Sequence, residues 1–559
     1  MTIESQLTEW LREALAAAAP GLGIDGDLPT PELLAPKQKE HGDFATNVAL
    51  TLATRAGMPP RKVAQAIADA ASPVPFVEKV EIAGPGFLNI TTTDAWLHDA
   101  LRGVVAEGEG YGRAAPTGRR VQVEFVSANP TGPLHIGHAR NAALGDALGR
   151  LLEAAGETVE REYYFNDAGR QMELFGASVT ARYLEVIGRD AQMPEDGYRG
   201  AYLVEVARDI QREHGDTLAD IPEPERTSRL LEEGARRILA GVERTLDRFG
   251  VRFDVYFSEA ELERKGEIAA AVERLREAGY AFDADGAVWF RSTAFGDDKD
   301  RVIVRSNGAH TYFGADCAYL IDKFSRGFDH IVYVWGADHH GDVTRVKGAA
   351  TALGLDADAV EITLYQFVSF LRDGEPVKMS KRAGTFISLD ELIDEVGADA
   401  ARFTLLSFSS DSALNFDIEV VKRQSMDNPV YYVQYGHARI ASIVRKAEAS
   451  GLPLEPIAHA DLSLLQHEAE LDLLRALADV PGHVATAAEF RAPHRLTHVV
   501  QDVAARFHRF YTECKVIDLD APGLSQARLW LAAGTKQVIA NLLGILGVSA
   551  PESMERTDD

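Results

Sequence analysis

Ser127-Ala128-Asn129-Pro130-Thr131-Gly132-Pro133-Leu134-His135-Ile136-Gly137-His138 is the stretch that decides the fold. The apolar run Val121 to Phe125 precedes it and predicts a strand. Behind it, Leu144, Leu148, Leu151 and Leu152 share one face and predict a helix. Strand, Gly/Pro-rich loop and helix start open a nucleotide-binding unit, where free backbone N–H groups and the helix dipole favour phosphate. His135 and His138 are three residues apart, face the same space and can donate to phosphate oxygens. Gly137 is expected to let the nucleotide approach the backbone, and Gly132 to serve the preceding turn.

A second element answers the first far downstream: Lys378-Met379-Ser380-Lys381-Arg382, with Gly374 and Gly384 nearby. Cations on a glycine-flanked loop can close over pyrophosphate and release it. Activating a carboxylic acid with ATP needs the acid held in line, the developing charge stabilised and pyrophosphate clamped. The two elements together meet the phosphate side of that demand.

Around these words the chain divides into three parts. Residues 1–115 predict a small α+β unit: an amphipathic helix with Leu7, Trp10, Leu11 and Leu15, then strands Val77 to Ile82 and Phe87 to Thr92 about the turn Gly84-Pro85-Gly86. Glu107 to Gly118 predicts a linker. Residues 119–400 alternate strands (Val121–Phe125, Val159–Tyr164, Ile331–Trp335, Glu361–Tyr365) with helices. That pattern predicts an α/β, Rossmann-like parallel sheet with ligands beyond the carboxyl ends of its strands. A charged, mainly helical stretch from Asp190 to about Ala281, followed by short strands at Ala287 to Arg291, reads as one insertion at about 190–298. From 401 to 559 strands disappear, and four long periodic segments predict an all-α bundle, the last interrupted by Gly534 and Gly544.

Bulk composition sets limits. The 559 residues exceed one core, and a net charge of −27, from 58 Lys plus Arg against 85 Asp plus Glu, argues against a protein that coats nucleic acid. A confined basic face remains compatible with a nucleic-acid substrate. Two cysteines, Cys317 and Cys514, exclude a disulfide framework and give no zinc pattern, so no zinc is expected. No signal peptide and no apolar run of transmembrane length is read from the sequence, so a cytoplasmic protein without a membrane partner is expected.

The two elements resemble the HIGH and KMSKS signatures of class I aminoacyl-tRNA synthetases. Further words narrow the resemblance: Glu124 to Pro133, Tyr163-Tyr164-Phe165-Asn166-Asp167-Ala168-Gly169-Arg170-Gln171 and Trp335-Gly336-Ala337-Asp338-His339-His340 are similar to bacterial arginyl-tRNA synthetases. The resemblance implies an arginine–tRNA ligase using ATP and Mg2+, with L-arginine and tRNA(Arg) as partners, transfer first to the terminal 2′-OH, and a monomer. It also implies that arginine is activated only once tRNA is bound. Arg382 departs from the usual closing serine, whereas Lys381, missing from many family members, is present.

By the same resemblance, His135, His138, Lys378 and Lys381 are the catalytic set, and Gly137, Met379 and Ser380 complete the ATP site. Arginine needs a planar, bidentate acceptor and a wall for its stem. Glu124 and Asp316 match the acceptor positions, with Tyr312 one turn before Asp316 if that segment is helical. Ser127 and Asn129 match the residues holding the substrate's amino and carboxylate ends. His339 falls where a polar side chain closes the pocket, with Asp338 as its rival. Asp167, Arg170 and Gln171 are given supporting roles, and Gly197 to Tyr202 matches the family with no chemical role found. For tRNA, Tyr435 and Tyr511 are preferred from the groups Tyr431, Tyr432, Gln434, Tyr435, His437, Arg439 and Phe510, Tyr511, Lys515. Phe87 and Asn89 are the expected tRNA-elbow contacts of the N-terminal unit. The C-terminal bundle is the expected anticodon-binding part.

Overall fold

The computed structural model describes residues 3–34, 36, 41–377, 387–423 and 425–554. A five-stranded, all-parallel sheet organises the middle of the chain. Its spatial order is Val360–Tyr365, His330–Gly336, Arg120–Glu124, Thr158–Phe165, Val255–Ser258. The chain starts the sheet at its central strand, builds outward on one side, then returns to build on the other. This reversal puts the topological switch point at the carboxyl end of Arg120–Glu124, where such sheets bind ligands. Helix Ala139–Ala154 packs so closely behind this strand that a Cβ at Gly145 would lie 2.2 Å from the Phe125 ring.

Four expectations need correcting. The 190–298 stretch is not one insertion. Helices Tyr202–His214 and Glu225–Arg248 precede the edge strand Val255–Ser258, which belongs to the main sheet, and a separate small sheet (Ala281–Ala284, Ala287–Phe290, Arg301–Val304) follows. The edge strand is only four residues long, too short to show a period. Strands also persist beyond 401. Leu414–Asp417 pairs in parallel with Val368–Arg372, which pairs with Glu375–Pro376. Finally, Pro522–Leu546 is one unbroken helix. Gly534 there permits a close approach, since a Cβ would lie 2.5 Å from Leu101 Cδ1. This helix is long and apolar enough to cross a membrane, contrary to the expectation from sequence, but 61% of its most apolar window is buried within the fold.

The N-terminal part packs helices Ile3–Leu22, Val48–Ala56 and Pro60–Ala70 against an antiparallel sheet, Phe44–Thr46, Phe87–Thr92 and Val77–Ala83. The expected linker is docked. The Tyr111 hydroxyl donates to the Leu477 carbonyl at 2.9 Å, and Asn541 donates to the carbonyls of Gly108 (2.8 Å) and Tyr111 (3.1 Å). Helices Pro429–Ala449, Glu468–Glu489, His494–Glu513 and Pro522–Leu546 form the bundle, and their core is continuous with that of the parallel sheet.

Candidate active site

The central strand ends in a sharp reversal. Val126 and Ser127 have φ of 64° and 43°, a region a β-branched residue enters only under constraint. The constraint comes from neighbouring side chains. Asn141 Oδ1 accepts the Val126 N–H at 2.8 Å while its Nδ2 donates to the Val334 carbonyl at 3.1 Å. The Tyr163 hydroxyl accepts from the Ala128 N–H and donates to the Ala128 carbonyl at 3.1 and 2.8 Å. The bend returns Ser127 Oγ to donate to Glu124 Oε1 at 3.2 Å. Asn129 donates to Gln171 Oε1 at 2.8 Å and accepts the Asn166 N–H at 3.3 Å.

The two signature histidines cap one another's turn. His135 Nδ1 accepts the Gly137 N–H at 3.0 Å, His138 Nδ1 accepts the His135 N–H at 3.2 Å, and the ring centroids are 4.0 Å apart. A ring nitrogen that accepts carries no proton, so each neutral imidazole bears its hydrogen on Nε2. Both rings therefore offer the same kind of donor. Gly137 is required by this geometry itself, because a Cβ there would lie 2.7 Å from His135 Cε1. Gly132 serves a close approach, a Cβ there falling 3.2 Å from Tyr202 Cζ. The Tyr202 hydroxyl donates to the Thr131 carbonyl at 2.6 Å. The Gly197 to Tyr202 segment thus braces the signature loop.

Lys378, Met379, Ser380 and Lys381 lie outside the described residues. The chain that follows them is joined to the histidine loop: His135 and Ser388 form an antiparallel bridge. Arg140, buried at the start of the signature helix, donates to the carbonyls of Gln366 (2.7 Å), Ser412 (2.8 Å) and Ser409 (2.8 Å). Those carbonyls precede strands Val368–Arg372 and Leu414–Asp417, so Arg140 fastens the signature helix to the small sheet from which the lysine segment departs.

Beside the loop is an acidic slot. Glu124 is buried at 5% exposure, not an exposed strand carboxylate. Thr311 caps helix Tyr312–Ser325, which carries Asp316 one turn after the exposed Tyr312. Asp316 is half-buried. Burial, and then the charges of Glu259, Glu124 and Asp342, push its carboxyl up to about 8. Sequence reasoning missed Glu259 and also Lys323, whose buried Nζ lies 3.0 Å from Glu124 Oε2. A lysine seven residues after Asp316 was the available signal.

Other expected residues separate. His339 is exposed, its Nδ1 3.0 Å from Asp342 Oδ2, and Asp338 stands beside it at 3.8 Å. Asp167 caps the start of helix Glu259–Arg264, accepting from Ser258 Oγ (2.6 Å) and the Ala260 N–H (2.9 Å). Phe87 is half-buried and Asn89 buried on the middle strand of the N-terminal sheet. In the bundle, Tyr435 and Tyr511 are joined by Arg439, which donates to their hydroxyls at 2.8 and 3.3 Å and lies 4.7 Å over the Tyr511 ring. Gln434, His437 and Phe510 are corrections. Phe510 is core, while Gln434 donates to the Ser549 carbonyl (2.9 Å) and His437 Nδ1 contacts that of Pro551 (2.8 Å), so both hold the C-terminal tail.

A parallel sheet, a paired-histidine loop at its switch point and a helical bundle behind it define a class I aminoacyl-tRNA synthetase. Comparison with known proteins agrees and is more specific. Residues 5–92, 100–406 and 433–554 match the family models for the arginyl tRNA synthetase N terminal domain, the class I (R) tRNA synthetase catalytic domain and the DALR anticodon binding domain. An arginine–tRNA ligase of Desulforamulus reducens is 47% identical over 558 residues, 99% of each chain. The solved structure of a putative arginyl-tRNA synthetase from Campylobacter jejuni superposes with a TM-score of 0.76 at 34% identity, covering 83% of this chain and 100% of that one. That of Thermus thermophilus arginyl-tRNA synthetase gives 0.72 at 26% identity, covering 98% and 100%. The chain belongs to the arginyl-tRNA synthetase family, the class I arginine–tRNA ligases.

Proposed function

We propose that the two sides of the signature loop divide the work of arginine activation. ATP, carried with Mg2+ as its substrate complex, lies against His135, Gly137 and His138. Their Nε2–H donors stabilise charge that grows on the phosphates as the arginine carboxylate attacks the α-phosphorus. Lys378 and Lys381, with Met379 and Ser380, clamp the departing pyrophosphate. Arginine lies with its guanidinium between Glu124 and Asp316, its stem against Tyr312, its amino and carboxylate ends at Ser127 and Asn129, and His339 or Asp338 at the open side. The adenylate is then attacked by the 2′-OH of the terminal ribose of tRNA(Arg).

Tyr435 and Tyr511, spaced by Arg439, serve as stacking surfaces for anticodon bases, and Phe87 with Asn89 contacts the tRNA elbow. The protein works as a cytoplasmic monomer. The observation that carries the reading is the buried acidic slot one strand-end away from the paired histidines. Its chemistry suits a planar cation and opposes an acidic or apolar side chain. Pyrophosphate exchange with arginine, run with and without tRNA(Arg), tests it. Exchange is expected only with the tRNA. Robust tRNA-free exchange contradicts the tRNA dependence, and failure to charge tRNA(Arg) contradicts the whole reading.

A further inference from the structure

Lys323 is fully buried and the activation chemistry above does not use it. It lies two helical turns after Asp316, on the same side of the helix. Its Nζ is 3.0 Å from Glu124 Oε2 and 3.0 Å from Glu162 Oε1, donates to Gln122 Oε1, and sits 4.1 and 4.9 Å from the ring centroids of Tyr319 and Tyr333. Glu162 has a cation of its own: Arg326 donates to both its oxygens, at 2.6 and 3.1 Å, and Tyr319 donates to it as well. Arg326 also pairs with Asp322 at 2.9 Å and Glu160 at 3.3 Å. Glu124 has no second cation among the described residues. The other ionisable groups near it are acidic or phenolic: Asp316 and Tyr319 on the helix, Tyr164 and Tyr333. Glu259 and Asp342, the latter paired with Arg345, face Asp316.

We propose that Lys323 is a positioning residue for the amino-acid slot, its ammonium holding the Glu124 carboxylate in place to meet the substrate guanidinium. The inference rests on Glu124 being a guanidinium acceptor. Without that ammonium, the buried Glu124 carboxylate would be left without a cationic partner and free to turn away. The effect of the same cation on Glu162 is visible. Burial alone would raise that carboxyl, yet Lys323 and Arg326 bring it down to about 2.

The experiment is aminoacylation of tRNA(Arg) by three full-length variants, Lys323→Met, Lys323→Met/Glu162→Gln and Glu124→Gln. The double variant removes one charge of each sign, so the buried cluster keeps its net charge, and it is the arm that is read if Lys323→Met does not fold. It should raise the KM for arginine about tenfold with kcat little changed, the size of one charged hydrogen bond. An unchanged KM for arginine in the Lys323 variants, with Glu124→Gln impaired, overturns the role of Lys323 alone. An unchanged KM in Glu124→Gln overturns the acceptor reading beneath it.

Discussion

His135 and Ser388 pair through their backbones in a single antiparallel bridge, flanked by Ile136 N–H to Ile387 O at 3.0 Å and Leu389 N–H to Leu134 O at 2.9 Å. The residue that opens the histidine turn is thereby fixed to the residue that ends the lysine segment. The pyrophosphate-clamping role proposed for the lysine segment calls for such an anchor, because a shift of about 1 Å at the reacting atoms can cost on the order of 100-fold in rate.

Ser388 also caps helix Leu389–Val396. Its Oγ accepts the Glu391 N–H at 3.1 Å, and its own N–H donates to Glu391 Oε2 at 2.6 Å. Ser388→Ala should cost about 1 kcal/mol in urea unfolding and Ser388→Gly only a few tenths. Because the cap holds the loop exit, KM for ATP should rise in the alanine variant while KM for arginine stays put. Equal changes in both would place the anchor elsewhere.

Gly137→Ala should be far more damaging than its size suggests. The added Cβ must displace the His135 ring, 2.7 Å away. We expect kcat to fall by roughly 100-fold, as when one oxyanion donor is removed, with KM for arginine nearly unchanged. Near-normal kcat would show that the His135 donor is dispensable.

Arg140 satisfies three backbone carbonyls from within the core. Lysine cannot reproduce a planar fork. Arg140→Lys should destabilise the fold by roughly 2–3 kcal/mol, read from chemical denaturation, by leaving buried acceptors without donors. A change under about 0.5 kcal/mol, the size of a surface effect, would contradict the geometry.

Asp316 gives a pH signature. Its carboxyl is raised from the ordinary 3.8 to about 8, first by burial and then by Glu259, Glu124 and Asp342. A carboxyl raised on folding favours the fold most at low pH, and that advantage is lost as pH rises from near 3.8 through about 8, then levels off. Asp316→Asn should therefore raise the Tm of the ligand-free enzyme by an amount that is small near pH 4 and greatest above about pH 8. Bound guanidinium favours the ionised form, so KM for arginine should fall as pH rises towards about 8. A flat KM, or a variant less stable than wild type at pH 8, contradicts this.

Much of this was legible in the sequence because strands and loops carried strong local signals. Four of the five parallel strands announced themselves as apolar runs, and the His135 to His138 turn as a Gly/Pro-rich helix start. Val255–Ser258 did not, since four half-buried residues at a sheet edge have no pattern to read. Glu124 and Asp316 came from resemblance, and their shared surroundings from the fold. Lys323, Glu259 and Arg140 escaped because their partners lie far away in sequence, Arg140 from Gln366 by 226 positions. Gln434 and His437 looked like base-stacking donors, but only the returning C-terminal tail shows what they hold.

The most direct measurement is kcat/KM for charging tRNA(Arg) with arginine by Glu124→Gln and Asp316→Asn, alongside the KM for ATP. Each variant leaves a guanidinium facing a neutral amide, so kcat/KM for arginine should fall by roughly 100-fold or more, with the KM for ATP unchanged. Wild-type kcat/KM for arginine in both variants would contradict the account.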